Sequence, residues 1–173
     1  LPAPLASAVE RDTYESVGDL SVTALISPPR KRILEKRHDA EITVDVSTQL
    51  WMLLGSSVHS ILERGDTDGH LQEERLSVCV GDATISGKPD LLDNEGTLDD
   101  YKITSVYSFL LGEKEEWVQQ LNCYAWLYGE HSFPVKRARI IAILRDWMVS
   151  RAEHDAGYPT APVLVKEIEL WPK

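Results

Sequence analysis

The sequence predicts an α/β fold of the α+β kind, in which a helix precedes three successive strands, a second helix, a further strand and a terminal strand. Three observations carry this reading. Apolar residues recur at helical spacing in two separate segments, near 47–64 and 114–130. Between them, β-branched alternating runs are divided by the turn signals Gly81-Asp82 and Asp93-Asn94-Glu95-Gly96. After the second helix, Ile140 to Leu144 form the continuous apolar run expected of a strand buried on both faces.

The elements follow in chain order. Residues 1–20 contain two early prolines and no sustained periodicity, so they are expected to form an N-terminal arm or cap, with 21–173 as a single domain. Ser21 is a candidate helix cap, Pro28-Pro29 break the segment, and a basic helix resumes to about His38. Leu50, Leu53, Leu54, Val58, Ile61 and Leu62 line one face of the next helix, with Ser47 as its N-cap and Gly65 as its stop. Three antiparallel strands are expected near 71–80, 83–92 and 97–104. Trp117, Leu121, Tyr124 and Tyr128 form the buried stripe of the second helix. The last strand, from Val163, shows an imperfect alternation of Val163, Val165, Ile168 and Leu170.

A chain of 173 residues with 43% hydrophobic content can bury a core without disulfides or structural metals. Cys79 and Cys123 lie in apolar patterned segments and read as small buried hydrophobes. Two thiols are too few for a cysteine-ligated iron-sulfur cluster, so none is expected. No run approaches the roughly 20 apolar residues that span a bilayer, and the first residues lack the pattern of a secretory signal; no membrane association and an intracellular, cytoplasmic setting are expected.

The formal net charge of −10 argues against a protein that grips nucleic acid through a broad positive field. The basic residues are nevertheless clustered. Arg30, Lys31, Arg32, Lys36 and Arg37 form one group, and Lys136, Arg137 and Arg139 another. Such runs are most often solvated surface; beside phosphate chemistry they become candidate backbone contacts.

That chemistry is indicated by Pro89-Asp90 followed, ten residues after Asp90, by Asp100-Tyr101-Lys102. Side chains alternate faces along a strand, so Asp100 and Lys102 share one face while Asp99, Tyr101 and Ile103 take the other. Two carboxylates and a lysine suit a hard divalent cation held against a phosphate, with a water activated beside it. Taken separately, Asp90 would cap a turn and Asp100 and Lys102 would form an ordinary exposed pair. Two further pairings join them: Gly55 and His59, four apart on the first helix, and Gln120 and Tyr124, four apart on the second.

In this order and on these elements, G-x-x-x-H, P-D, D-x-K and Q-x-x-x-Y resemble the PD-(D/E)XK nuclease superfamily, in particular its RecB-like branch, which includes phage recombination exonucleases. The resemblance runs from about Gly55 to Tyr128. It implies a restriction-endonuclease-like α-β-β-β-α-β core, a mixed sheet flanked by helices. It also implies that His59, Asp90, Asp100 and the backbone carbonyl of Ile103 are ligands to one or two Mg²⁺ or Mn²⁺ ions. Asp90, Asp100 and Lys102 would be catalytic, with Gln120 and Tyr124 supporting them. Thr104 and Ser105, at the end of the motif strand, join the basic cluster at 30–37 as expected DNA contacts, and Tyr107, Phe109 or Trp117 could stack on an unpaired base.

Several members of the branch carry an iron-sulfur cluster that this chain cannot build, and many have glutamate where Asp100 stands. No G-x-x-x-x-G-K-[ST] motor motif is present, so a stand-alone nuclease or one that borrows partners is expected, the candidate partners being a homo-oligomer or a recombination or replication protein. The resulting expectation is a metal-dependent deoxyribonuclease acting on DNA ends. The alternatives are a structure-specific endonuclease and a catalytically silent DNA-binding or assembly module of the same fold.

Overall fold

The computed structural model describes the chain apart from residues 1, 12–17, 44, 46–48, 63, 66–69, 113 and 173. Two mixed sheets are braced by helices. One has the strand order β1-β4-β3 and the other β2-β5-β6-β7-β8. Their strands are β1 (Leu20–Ser21), β2 (Leu71–Gln72), β3 (Leu76–Val80), β4 (Ala83–Gly87), β5 (Leu91–Leu92), β6 (Thr97–Thr104), β7 (Arg137–Leu144) and β8 (Val163–Ile168). The helices are α1 (Ala3–Arg11), α2 (Val22–Ile26), α3 (Pro29–Arg37), α4 (Leu50–Leu62), α5 (Val106–Leu110), α6 (Glu115–Glu130) and α7 (Val149–His154).

Of the three strands expected between 71 and 104, the third forms over its full length as β6, and the first two are real only in part. The first two break and divide between the sheets: β3 and β4 form a hairpin in the smaller sheet, while β2 and β5 pair in the larger. The breaks have local causes. Glu73 has φ 47, a left-handed conformation that turns the chain out of β2, and Pro89 has no N–H to give to a ladder. Both predicted turns hold. Gly81 has φ 60 at the hairpin tip, and Asp93 Oδ1 accepts from the N–H groups of Glu95 and Thr97 at 2.9 and 2.7 Å.

β6 and β7 run parallel over eight residues, and β8 returns antiparallel to β7. α6 lies across the face formed by the even-numbered residues of β6 and β7. Its Trp117, Leu121, Tyr124, Leu127 and Tyr128 pack with Leu98, Ile140, Ala142 and Leu144 in the buried core. Each such large apolar side chain contributes roughly 1.5–3 kcal/mol on burial. The other face of β7 is only half covered, so this strand is central without being buried on both sides. In β8 the expected stripe holds only in its second half: Ile168 is buried and Leu170 beyond it packs against the core, whereas Val163 and Val165 are exposed and Leu164 turns inward in their place.

Other local expectations divide similarly. Ser21 caps α2 by accepting from Ala24 N–H at 3.1 Å, and α3 begins at Pro29 and ends at Arg37 as the prolines and charges predict. The N-terminal segment contains a helix, because Pro2 and Pro4 sit where a first turn needs no donor. Its last residues join the smaller sheet, where Asp19 Oδ2 accepts from Thr84 N–H at 2.8 Å and β1 pairs with β4. Cys79 is exposed rather than buried, since β3 is an edge strand with an open face; Cys123 is half-buried, and burial pushes its thiol up. Ser47 lies outside the described residues, whereas Gly65 N–H closes the end of α4 on Leu62 O at 2.9 Å.

Candidate metal centre

Four elements meet at the carboxyl-rich centre. α4 delivers His59, the segment after β2 delivers Glu73, the Lys88-Pro89-Asp90 link between the sheets delivers Asp90, and β6 delivers Asp100 and Lys102. His59 Nδ1 lies 3.4 Å from Glu73 Oε1 and 3.4 Å from Asp90 Oδ1. One ligand atom from each of these three residues falls within 4.8 Å of the other two. Together with Leu62, Gln72 and Tyr101 they line a small cleft.

Asp90 is held at several points. Pro89 is fully buried beside it, Asp90 Oδ2 accepts from Tyr101 N–H at 2.7 Å, and the Asp90 carbonyl accepts from Glu73 N–H at 3.0 Å. Its carboxylate therefore approaches β6 edge-on, on the side away from β7, where β5 pairs only with Leu98 and Asp99 and leaves Tyr101 without a strand partner on that edge. Thr104 O accepts from Arg145 N–H on the β7 side. Backbone groups alternate edges along a strand, so the Ile103 carbonyl lies on the Asp90 edge.

Asp100 and Lys102 share the face that the strand period predicts. Asp100 is only 2% exposed, and its Oδ2 meets Lys102 Nζ at 2.6 Å. Lys102 also donates to Gln120 Oε1 at 3.0 Å, and Gln120 Nε2 donates to Tyr124 OH at 3.0 Å. The pairing of residues four apart on α6 thus becomes a chain of hydrogen bonds that holds the lysine in place. On the opposite face, Asp99 takes a two-pronged ion pair from Arg139 at 2.7 and 2.6 Å. The two adjacent aspartates have separate partners.

The electrostatics fit an added cation. Burial, reinforced by the charge of Asp100, pushes the Asp90 carboxyl up to about 7. A hydrogen bond donated to Glu73 raises the His59 imidazole against its own burial. Burial also works to raise Glu73, but hydrogen bonds from His59 and Lys88 outweigh it and leave this carboxyl lowered. The imidazole of His59 and the carboxylates of Glu73 and Asp90 form a donor set that could hold a divalent cation.

Glu73 and Lys88, which form an ion pair, were not legible as site residues. Glu73 falls within an expected strand, where a polar residue reads as solvated. The run Gln72-Glu73-Glu74-Arg75, which interrupts the apolar alternation, was the available sign of a break. Lys88 is adjacent to the Pro-Asp motif, and proximity was its only signal.

Against known proteins, the similarity lies in the fold. No family model and no curated protein sequence matches the chain. A solved structure described as SSO0001 superposes with a TM-score of 0.64 at 17% identity, covering 98% of this chain and 76% of that one. An alkaline exonuclease (LHK-Exo) from Laribacter hongkongensis superposes with a TM-score of 0.52 at 10% identity, covering 88% and 77%. The chain shares its α/β fold with these proteins, and at such identities the likeness is one of fold.

The remaining expected residues are placed as follows. Arg30, Lys31, Lys36 and Arg37 are exposed on α3, and Arg32 donates to Ala24 O at 2.9 Å. Thr104 is buried, and the Ser105 side chain caps α5 by accepting from Ser108 N–H at 3.1 Å. Trp117 is a core residue, whereas Tyr107 is 72% exposed. Arg137 and Arg139 are engaged with Glu95, Thr97 and Asp99. No helix among the described residues is long and apolar enough to cross a membrane.

Proposed function

We propose that the protein is a metal-dependent deoxyribonuclease that hydrolyses phosphodiester bonds, acting preferentially at DNA ends. The convergence of His59, Glu73 and Asp90 within 4.8 Å, beside the Asp100–Lys102–Gln120 chain, carries this reading. The fold shared with an alkaline exonuclease supports it.

His59, Glu73, Asp90, Asp100 and the Ile103 carbonyl would hold one or two Mg²⁺ or Mn²⁺ ions. Such an ion polarises the scissile phosphate and makes a bound water more acidic. Lys102, held between Asp100 and Gln120, is poised to orient the attacking water by hydrogen bonding and to offset charge building on the phosphoryl oxygens. Tyr124 acts through Gln120 and is a positioning residue. The exposed cations of α3 would follow the phosphate backbone, giving a binding strength that falls with salt.

The test is incubation of end-labelled linear DNA and closed-circular DNA with Mg²⁺ or Mn²⁺, with EDTA as control. Cleavage of the linear form alone is expected, with a loss on the order of a hundredfold or more in Lys102→Ala and Asp90→Ala. Cleavage of the circle would identify an endonuclease. Undiminished cleavage by both variants would remove the assignment of the site.

A further inference from the structure

α4 leads away from the metal centre along a row of residues four apart: His59, Gly55 and Trp51. Glycine in a helix interior is unfavourable, yet a Cβ built at Gly55 would meet nothing within 4 Å. Packing within the protein therefore does not explain why the side chain is missing there. At the end of the row Trp51 is 59% exposed and the adjacent Met52 60%. The Arg145 guanidinium lies 4.2 Å from the Trp51 ring centroid. Arg145 is exposed, and its N–H donates to Thr104 O at 3.0 Å, two residues beyond Lys102 on the same strand. Trp51 and His59 stand eight positions apart on the helix, about 12 Å along its axis.

We propose that Trp51, Gly55 and Arg145 form a platform for an unpaired DNA strand leading into the metal centre. A base would stack on Trp51, a phosphate would pair with Arg145, and the backbone would cross α4 where Gly55 leaves room. The inference rests on the nuclease reading and adds to it a substrate class, single-stranded DNA or a frayed end. Local complementarity selects this occupant: an exposed indole offers a base a stacking face, and the exposed guanidinium beside it offers a phosphate a cation. Aromatic stacking with a neighbouring arginine is the usual basis of sequence-tolerant single-strand binding.

The test measures binding of labelled oligodeoxythymidylate and of a blunt duplex by fluorescence anisotropy, using Lys102→Ala protein with Mg²⁺ so that the probes stay intact. Trp51→Ala is expected to weaken single-strand binding about tenfold, Trp51→Phe much less, and blunt-duplex binding to change little. Gly55→Leu, which favours the helix, is expected to weaken single-strand binding without lowering the melting temperature. Unchanged single-strand affinity in both Trp51→Ala and Gly55→Leu would overturn the platform. So would a Trp51-dependent dimer in sedimentation with no effect on binding, which would make the surface an interface between copies. Cleavage of linear single-stranded and duplex DNA by the unmodified protein is measured in parallel. Cleavage of either alongside Trp51-independent binding refutes the platform alone, and cleavage of neither refutes the nuclease reading.

Discussion

Asp90 shows how one side chain can be costly to the fold and necessary to the site. Burial and, after it, the charge of nearby Asp100 push its carboxyl up to about 7. At pH 8 the metal-free chain must therefore hold a charge that its surroundings disfavour. Asp90→Asn retains an oxygen to accept from Tyr101 N–H and removes that charge. The variant is expected to raise metal-free stability at pH 8 by about 2 kcal/mol, with part of the gain lost because His59 loses a partner. It should also lose the stabilisation that Mn²⁺ gives the parent. A fall in melting temperature in EDTA would contradict this account. Glu73→Gln should weaken Mn²⁺ binding roughly tenfold in calorimetric titration, and unchanged affinity would exclude Glu73 as a ligand. Glu73 was missed because the chain direction there depends on a left-handed backbone that its residue type does not favour.

At the scale of elements, the site depends on how closely α6 approaches the smaller sheet. Gly87 ends β4 directly beneath this helix, and a Cβ there would lie 2.7 Å from Tyr124 Cε1 and 2.8 Å from Leu127 Cδ1. Gly87→Ala should cost on the order of 1–3 kcal/mol in denaturant unfolding. It should also reduce cleavage, because Tyr124 supports Gln120 and Gln120 holds Lys102. Unaltered stability and rate would show that the helix can shift freely. α6 and β6 were readable from sequence in position and in facing, since each has a clean period over many residues. The short strands β2 and β5 were not, because two paired residues leave no periodic signal and depend on the partner strand for their existence.

For the whole molecule, the concentration of carboxylates at one point makes stability and metal binding interdependent. The unfolded value of an aspartate is about 3.9, and the folded value of Asp90 is about 7. Between those values the folded state keeps a proton that the unfolded chain has lost, so metal-free stability falls as pH rises through this window. His59, whose value is also raised, acts in the same direction: its contribution is complete at low pH and is lost as pH rises through its folded value. Divalent ions compete with these protons. The rise in melting temperature on adding Mg²⁺ is expected to be larger at pH 8 than at pH 6. Equal shifts at the two values would show that the carboxyl cluster does not hold the ion.

The sequence alone determined what depends on local order. It specified the helices with clean stripes, the hairpin turns, the shared face of Asp100 and Lys102, and a motif set ordered along the chain from Gly55 to Tyr124. These follow from backbone periodicity and turn chemistry, which act over a few residues. Only the tertiary structure decided that Glu73 joins His59 and Asp90, that Asp99 belongs to Arg139, and that Trp51 meets Arg145 beyond the end of β6. Those contacts join residues up to 94 positions apart. Their formation depends on where two sheets divide and how α4 lies beside β6, and no local pattern encodes either.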